Sequence, residues 1–182
     1  MGTSSKALAI KLRKLADRQH GCFTAAQAVE MGYADSVHLY HVKSGEWIRV
    51  SRGIYRFTNA PDTPACRCMA ALLWTRDKNG VVQGFLLPPT IHALRNNRLA
   101  IGDPIHIGVP KGFRRSSQVP ETITLESVDS QLCKTSKMNG LRIQFPPDDP
   151  PPDPAEPAAE LDRSDYYDWL DYQAVRCSST SS

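Results

Sequence analysis

Long apolar runs are absent from this sequence. A helix that spans a bilayer needs about 18–20 consecutive apolar residues, and every apolar stretch here is interrupted well before that length. The N-terminal region alternates Lys6, Lys11, Arg13 and Lys14 with apolar residues, so it lacks the unbroken apolar segment of a signal peptide. We therefore predict a cytoplasmic protein that has no membrane partner.

Cysteines are few, and their number is odd. The five lie at positions 22, 66, 68, 133 and 177. Disulfide frameworks of secreted proteins favour even counts, so we expect reduced thiols. Cys66 and Cys68 lack a second pair of ligands at zinc-finger spacing. We predict neither a metal site nor a cofactor.

The motifs of common enzyme classes are also missing. The sequence has no Walker-type GxxxxGK[ST], no HExxH and no GxSxG nucleophile elbow. His92 and His106 are not spaced with a carboxylate as a metal site requires. We predict no catalytic residues, and the protein is not expected to be an enzyme.

Acidic residues are scarce in the first 143 positions. Residues 1–57 carry nine Lys and Arg against four Asp and Glu, and residues 58–143 carry eleven against six. Residues 144–182 reverse the balance, with two against nine. The net charge of +3 therefore combines a basic body with an acidic tail. A basic body suits an anionic partner such as nucleic acid.

Proline dominates the start of the tail. Seven of the twelve residues at 146–157 are proline and four are acidic. This composition lacks the apolar surface that a packed core needs, so residues 146–182 are predicted to be a disordered acidic Pro-rich tail.

What the sequence does contain is a run of helix signals near its start. An apolar stripe predicts a helix over about 5–18. Thr24 and Gln27 have the spacing of a capping box, which predicts a second helix that ends at Gly32. Asp35 or Ser36 is expected to cap a third helix, over 35–44.

Two short β-prone segments follow these helices. They are residues 47–50 (WIRV) and 54–57 (IYRF), and the Ser-Arg-Gly between them suits a tight turn. We expect Trp47 and Tyr55 to face the core, with the arginines outside or at the tip. Helix, turn, helix and hairpin in this order are typical of a winged helix-turn-helix, predicted over residues 1–60.

The remaining body, residues 65–145, predicts a small α+β domain. We expect helices over 66–74 and 90–98, with Pro88-Pro89 forming an extended bend before the latter. Strands are expected over 105–109, 122–125 and 141–145. Residues 81–87 fit a buried strand or a helix equally well. The predicted class of the whole chain is α+β.

The segment GYADSVHLYHVKSGEWIRVSRGIYRF, residues 32–57, resembles the N-terminal domain of the AbiEi-type antitoxins. The resemblance extends more thinly through LWTR at 73–76 and IHIGVPKGFRR at 105–115. These antitoxins are the transcriptional regulators of type IV toxin–antitoxin systems. The resemblance implies a DNA-binding autorepressor that binds repeats in its own promoter. It also implies a protein that counters a nucleotidyltransferase toxin without a stable complex.

The chain departs from the family pattern in two places. Family members usually carry a Ser-His-x-Thr-Ala-Leu-type helix, and the corresponding residues 86–94 (LLPPTIHAL) keep only the threonine. After residue 145 the Pro-rich tail stands where the family continues. A protein-interaction module without a DNA role, or a decayed family member, is therefore an alternative to the antitoxin.

The second helix of a helix-turn-helix lies in the major groove. On this helix Ser36, Tyr40 and Lys43 are the predicted DNA contacts. His38 and His41 share a face and are either further contacts or core histidines. The predicted contacts of the hairpin and of the later basic cluster are arginines and a lysine. They are Arg49, Arg52 and Arg56 for phosphate or the minor groove, with Lys111, Arg114 and Arg115 as either additional contacts or plain surface charge.

Overall fold

The computed structural model describes residues 5–129 and 133–144, and the predicted tail lies outside these ranges. The described helices are α1 (Ser5–Asp17), α2 (Ala25–Glu30), α3 (His38–Lys43), α4 (Pro64–Trp74) and α5 (Pro88–Arg95), and a 3₁₀ turn (Asp35–Val37) leads into α3. The described strands are β1 (Cys22–Thr24), β2 (Trp47–Ser51), β3 (Ile54–Phe57), β4 (Phe85–Leu86), β5 (Ile105–Pro110), β6 (Ile123–Val128), β7 (Thr135–Met138) and β8 (Leu141–Gln144). This mixture of helices and strands confirms the predicted α+β class.

The first two helices begin and end where the sequence predicts. The capping box of α2 is present, since Gln27 N donates to Thr24 Oγ1 at 3.2 Å and Thr24 N donates to Gln27 Oε1 at 2.9 Å. Each bond gives an acceptor to a backbone N–H that has no partner within the helix. Gly32 follows the helix with φ of 109°, a conformation that side chains with a Cβ rarely adopt.

The prediction that Asp35 or Ser36 caps the third helix is wrong. Ala34 occupies the cap position of the 3₁₀ turn, and neither this turn nor α3 has a side-chain cap hydrogen bond. The Asp35 carboxylate lies 3.4 Å from Nδ1 of His38 instead. The predicted helix over 35–44 is therefore a 3₁₀ turn followed by the six residues of α3.

The predicted hairpin is confirmed, and a third strand accompanies it. The strand order is β1-β3-β2, with antiparallel pairing throughout. The register shifts between Arg49 and Ser51, which places a bulge at the end of β2. Gly53 closes the turn with φ of 72°. The sequence reading did not predict β1, which has only three residues.

The later part of the chain forms a five-stranded mixed sheet of order β6-β5-β4-β8-β7. The prediction of an extended bend at Pro88-Pro89 is wrong, because these two prolines are the first residues of α5. Proline is tolerated there since its missing N–H has no helical partner in any case. Residues 81–87 contain the short strand β4, and β7 was not predicted.

Two apolar clusters lie on opposite faces of the three-stranded sheet. The aromatic residues Phe23, Trp47, Tyr55 and Phe57 pack with the first helices. Alternate residues of the same strands, such as Cys22 and Ile54, belong to the cluster of α4 and the five-stranded sheet. The small sheet is thus shared by both cores. Among the described helices, none combines the length and the apolar character that crossing a membrane demands.

Candidate nucleic-acid interface

The α3 helix is held against the sheet along one side. His38 is 4% exposed and lies between the rings of Trp47 and Tyr55, with ring centroids 5.7 Å from each. His41 stacks on Trp47 at 4.5 Å, and its Nδ1 lies 2.6 Å from Oε2 of Glu46. The structure thus gives His38 a place in the core, and His41 a partly buried place against Trp47.

The opposite side of α3 faces solvent. Leu39 is 61% exposed and Tyr40 is 65% exposed. Ser36, just before the helix, and Lys43 at its end are exposed as well. Residues 36, 40 and 43 share a face because helix neighbours recur every three to four positions. The structure thus brings the three predicted contacts together, and Leu39 is an exposed neighbour that the sequence reading did not select.

The hairpin leaves two of its three arginines exposed. Arg49 and Arg52 are exposed, and within the described ranges neither side chain has a hydrogen bond or an ion pair. Arg49 lies opposite Tyr55 in the register, so it is on the sheet face that carries α3. Guanidinium groups without protein partners are available for anionic ligands.

Arg56 lies apart from these residues. It alternates with Tyr55 and Phe57, which pack against the first helices, so its side chain is on the other face of the sheet. Its guanidinium donates to the carbonyl oxygen of Ala60. The residue also lines a cavity of about 290 Å³ between the back of the hairpin and α4.

A partly buried arginine holds the hairpin turn. The guanidinium of Arg76 donates to the carbonyl oxygens of Leu73, at 2.9 Å, and Gly53, at 3.3 Å. The Gly53 carbonyl also accepts from Ala25 N at 3.0 Å. Burial, and after it the nearby charge of Arg115, lowers the pKa of Arg76. The sequence showed Arg76 only as part of the LWTR segment and gave no sign of this role.

The three residues of the later basic cluster, Lys111, Arg114 and Arg115, have different surroundings. Arg115 lies over the ring of Trp74 at 5.0 Å and donates to the carbonyl oxygen of Arg76 at 2.9 Å. Burial lowers its pKa. Lys111 pairs with Asp129 at 3.1 Å, and Arg114 is exposed. Arg115 therefore has a packing role, and the three residues do not form one uniform cationic patch.

The described residues contain no group of three or more His, Cys, Asp or Glu side chains arranged to hold a metal ion. Within the part of the chain that the structure describes, this surface offers the exposed side of a short helix and two hairpin arginines without side-chain partners. A helix that carries polar and apolar side chains next to a basic hairpin is an arrangement of regulatory DNA-binding proteins.

The sequence comparison agrees with this class. Residues 11–58 match the family described as "Transcriptional regulator, AbiEi antitoxin". The match runs from within α1 through the hairpin and confirms the resemblance predicted from the sequence. It does not extend to the segments at 73–76 and 105–115. No curated protein matches this chain significantly.

Proposed function

We propose that the first three helices and the hairpin form a winged helix-turn-helix that binds double-stranded DNA. The observation that carries the proposal is the exposed face of α3, together with two exposed arginines of the hairpin that have no side-chain partner within residues 5–129 and 133–144. In this arrangement α3 enters the major groove and the β2–β3 hairpin is the wing. The family match over the same residues supports it.

The α3 helix supplies the contacts to base edges. The Tyr40 hydroxyl can donate to or accept from a base, and the apolar side chain of Leu39 suits a thymine methyl group. Lys43 and Ser36 flank them and suit phosphate oxygens. Because His38 and His41 anchor the other side of the helix, these exposed side chains are presented on a fixed support.

The wing contributes affinity for DNA rather than sequence specificity. Arg49 and Arg52 pair with phosphate oxygens, which neutralises charge and releases counterions from the DNA. Arg114 is a further exposed cation on the later domain. Arg56 is left out of the DNA contacts, because its guanidinium bonds the Ala60 carbonyl on the opposite face of the sheet.

The family match also supports a particular biological role. We propose that the protein represses its own promoter by binding repeats there, as the antitoxin of a type IV toxin–antitoxin system. It counters a nucleotidyltransferase toxin without forming a stable complex with it, and it has no enzymatic activity of its own.

Mobility shifts with the DNA upstream of the reading frame, at several salt concentrations, test the DNA-binding role. Arg52→Ala is expected to weaken binding to all sequences and to reduce the slope of log affinity against log salt by roughly 1. Arg95→Ala is the matched control, because Arg95 is an exposed arginine on α5 without a protein partner in the described residues. No binding at low salt, or binding indifferent to salt, contradicts the proposal.

A further inference from the structure

Two buried cysteines from different elements meet behind the hairpin. Cys22 lies on β1 and Cys66 on the first turn of α4, and their Sγ atoms are 3.2 Å apart. Both side chains are almost fully buried. A disulfide has an S–S distance of about 2.05 Å, so the two sulfur atoms need to approach by only about 1.2 Å to be joined. The two thiols are reduced in the structure.

The surroundings of Cys66 favour its thiolate. The pKa of Cys66 is lowered, mainly by the hydrogen bond between its sulfur and that of Cys22; burial opposes this shift, and the charges of Arg56 and Arg67 add to it. The same hydrogen bond, followed by burial, raises the pKa of Cys22. Cys66 also lies in the first turn of an 11-residue helix, where the helix dipole favours an anion.

Cys66 also lines the cavity of about 290 Å³ behind the hairpin. The cavity gives a small oxidant a place next to this residue, and Arg56 and Arg67 also line it. Cys68, two residues further along α4, is a different kind of thiol. It is buried and does not line the cavity, and burial raises its pKa to about 12.

We propose that Cys22 and Cys66 form a peroxide-sensitive dithiol, in which Cys66 is oxidised first and Cys22 then closes a disulfide between β1 and α4. Oxidant-sensing cysteines combine thiolate character, access and a neighbouring thiol that resolves the oxidised sulfur. Here the cavity gives access to the otherwise buried Cys66, and Cys22 is the neighbouring thiol. The hydrogen bond with Cys22 and the start of α4 favour the thiolate.

One molecule of hydrogen peroxide is the only oxidant that this disulfide requires. The Cys66 thiolate attacks one peroxide oxygen, the O–O bond breaks, and the departing hydroxide takes a proton to become water. Cys66 is then a sulfenic acid, oxidised by two electrons. The Cys22 sulfur attacks the Cys66 sulfur, the S–O bond breaks, and the hydroxide leaves with the Cys22 proton as a second water.

The disulfide would join the two ends of a segment that contains α3 and the hairpin. Such a cross-link restricts the unfolded chain, so the oxidised protein is expected to melt at a temperature higher by on the order of 5 °C or more. The inference goes beyond the proposed DNA role, and the bond can be measured without DNA. Its failure and the failure of DNA binding are therefore distinguishable.

Peptide mapping of the full chain tests the pair directly. The reduced native protein is treated with hydrogen peroxide, the remaining thiols are alkylated in denaturant, and the chain is digested with trypsin. Cleavage after Arg67 separates the Cys66 peptide, 57–67, from the Cys68 peptide, 68–76. The expected product is peptide 57–67 linked to peptide 19–43, lighter than the two reduced peptides by two hydrogens, while Cys68 is alkylated.

Single variants test the order of the steps. Cys22→Ser should leave Cys66 as a sulfenic acid that dimedone traps, whereas Cys66→Ser should leave Cys22 unoxidised. Cys68→Ser is the matched control and should form the bond at the rate of the unaltered chain. Since either substitution can disturb folding, the unaltered chain also provides a time course, in which the sulfenic acid at Cys66 precedes the disulfide.

Four results would overturn the proposal. They are oxidation confined to Cys133 or Cys177, linkage between two copies of the chain, dimedone trapping at Cys22 rather than Cys66, and Cys22 and Cys66 fully alkylated after peroxide treatment.

Discussion

Two residues of α3 that are two positions apart have opposite surroundings. His38 is enclosed by aromatic rings, and its Nε2 is buried without a hydrogen-bond partner among the described residues. Tyr40 is mostly exposed. Sequence spacing could show that 38 and 41 share a face, but it could not show which face is buried. Substitutions at the two positions can distinguish a packing role from a role on the surface.

His38→Ala is expected to destabilise the fold. Removing a buried ring leaves a cavity against Trp47 and Tyr55, and the expected loss in the free energy of unfolding is about 2–4 kcal/mol. Urea denaturation followed by tryptophan fluorescence measures it. A loss below about 0.5 kcal/mol, the size typical of surface substitutions, would contradict the packing role of this residue.

Tyr40→Ala is expected to leave the stability of the fold nearly unchanged and to alter DNA discrimination. Because the side chain is exposed, its loss should change the free energy of unfolding by less than about 0.5 kcal/mol. If Tyr40 reads a base edge, the variant should lose about 1–3 kcal/mol of discrimination between operator and altered operator. Competition binding with single-base variants of the operator measures this. An equal loss of affinity for every sequence would assign Tyr40 to phosphate instead.

At the scale of elements, the best-predicted parts are those with local chemical signals. The capping box of α2 and the hairpin turn each depend on residues adjacent in sequence, so the sequence could predict them. Strands β1 and β7 were missed because short strands are defined by their partners, which lie far along the chain. The two prolines of α5 were misread because proline is compatible with both an extended bend and a helix start.

Thr90 has a structural role that the sequence alone could not show. It is the threonine of segment 86–94 that the sequence reading singled out, and it is buried. Its Oγ1 accepts a hydrogen bond from His106 N at 2.8 Å, so it ties α5 to β5. The sequence identified the residue but could not identify this distant partner.

The capping box offers a prediction at this scale. Thr24→Ala should reduce the free energy of unfolding by about 1 kcal/mol, since it leaves the Gln27 N–H without its acceptor. Gln27→Ala should cost less when Thr24 is already replaced, because the two side chains act together. A double-mutant cycle in urea measures the coupling. Strict additivity would show that the two bonds contribute independently.

At the scale of the whole molecule, the three-stranded sheet is covered by an apolar cluster on each face. The sequence could group Ser36, Tyr40 and Lys43, which share an exposed face in the structure. Arg56 could not be placed, because the sequence does not show that the small sheet is covered on both faces. Its side chain occupies the face toward α4 and the cavity.

Neutralising the tail is expected to strengthen DNA binding. Replacing the nine Asp and Glu of residues 146–182 with Asn and Gln changes the net charge from +3 to +12. Affinity for non-specific DNA should rise several-fold at low salt, and the gain should shrink as salt screens the charges. Mobility shifts between about 50 and 500 mM salt measure it. A shuffled tail that keeps its acidic residues is the control and should behave as the original.

The sheet shared by the two clusters has a consequence for how this protein can be divided. The family match ends at residue 58, ahead of α4, whereas Cys22 and Ile54 depend on α4 for their cover. A fragment cut at that point would expose an apolar sheet face, which favours self-association. The end of the family match is therefore not the end of the folding unit, and a shortened version of the proposed DNA-binding domain has to include α4.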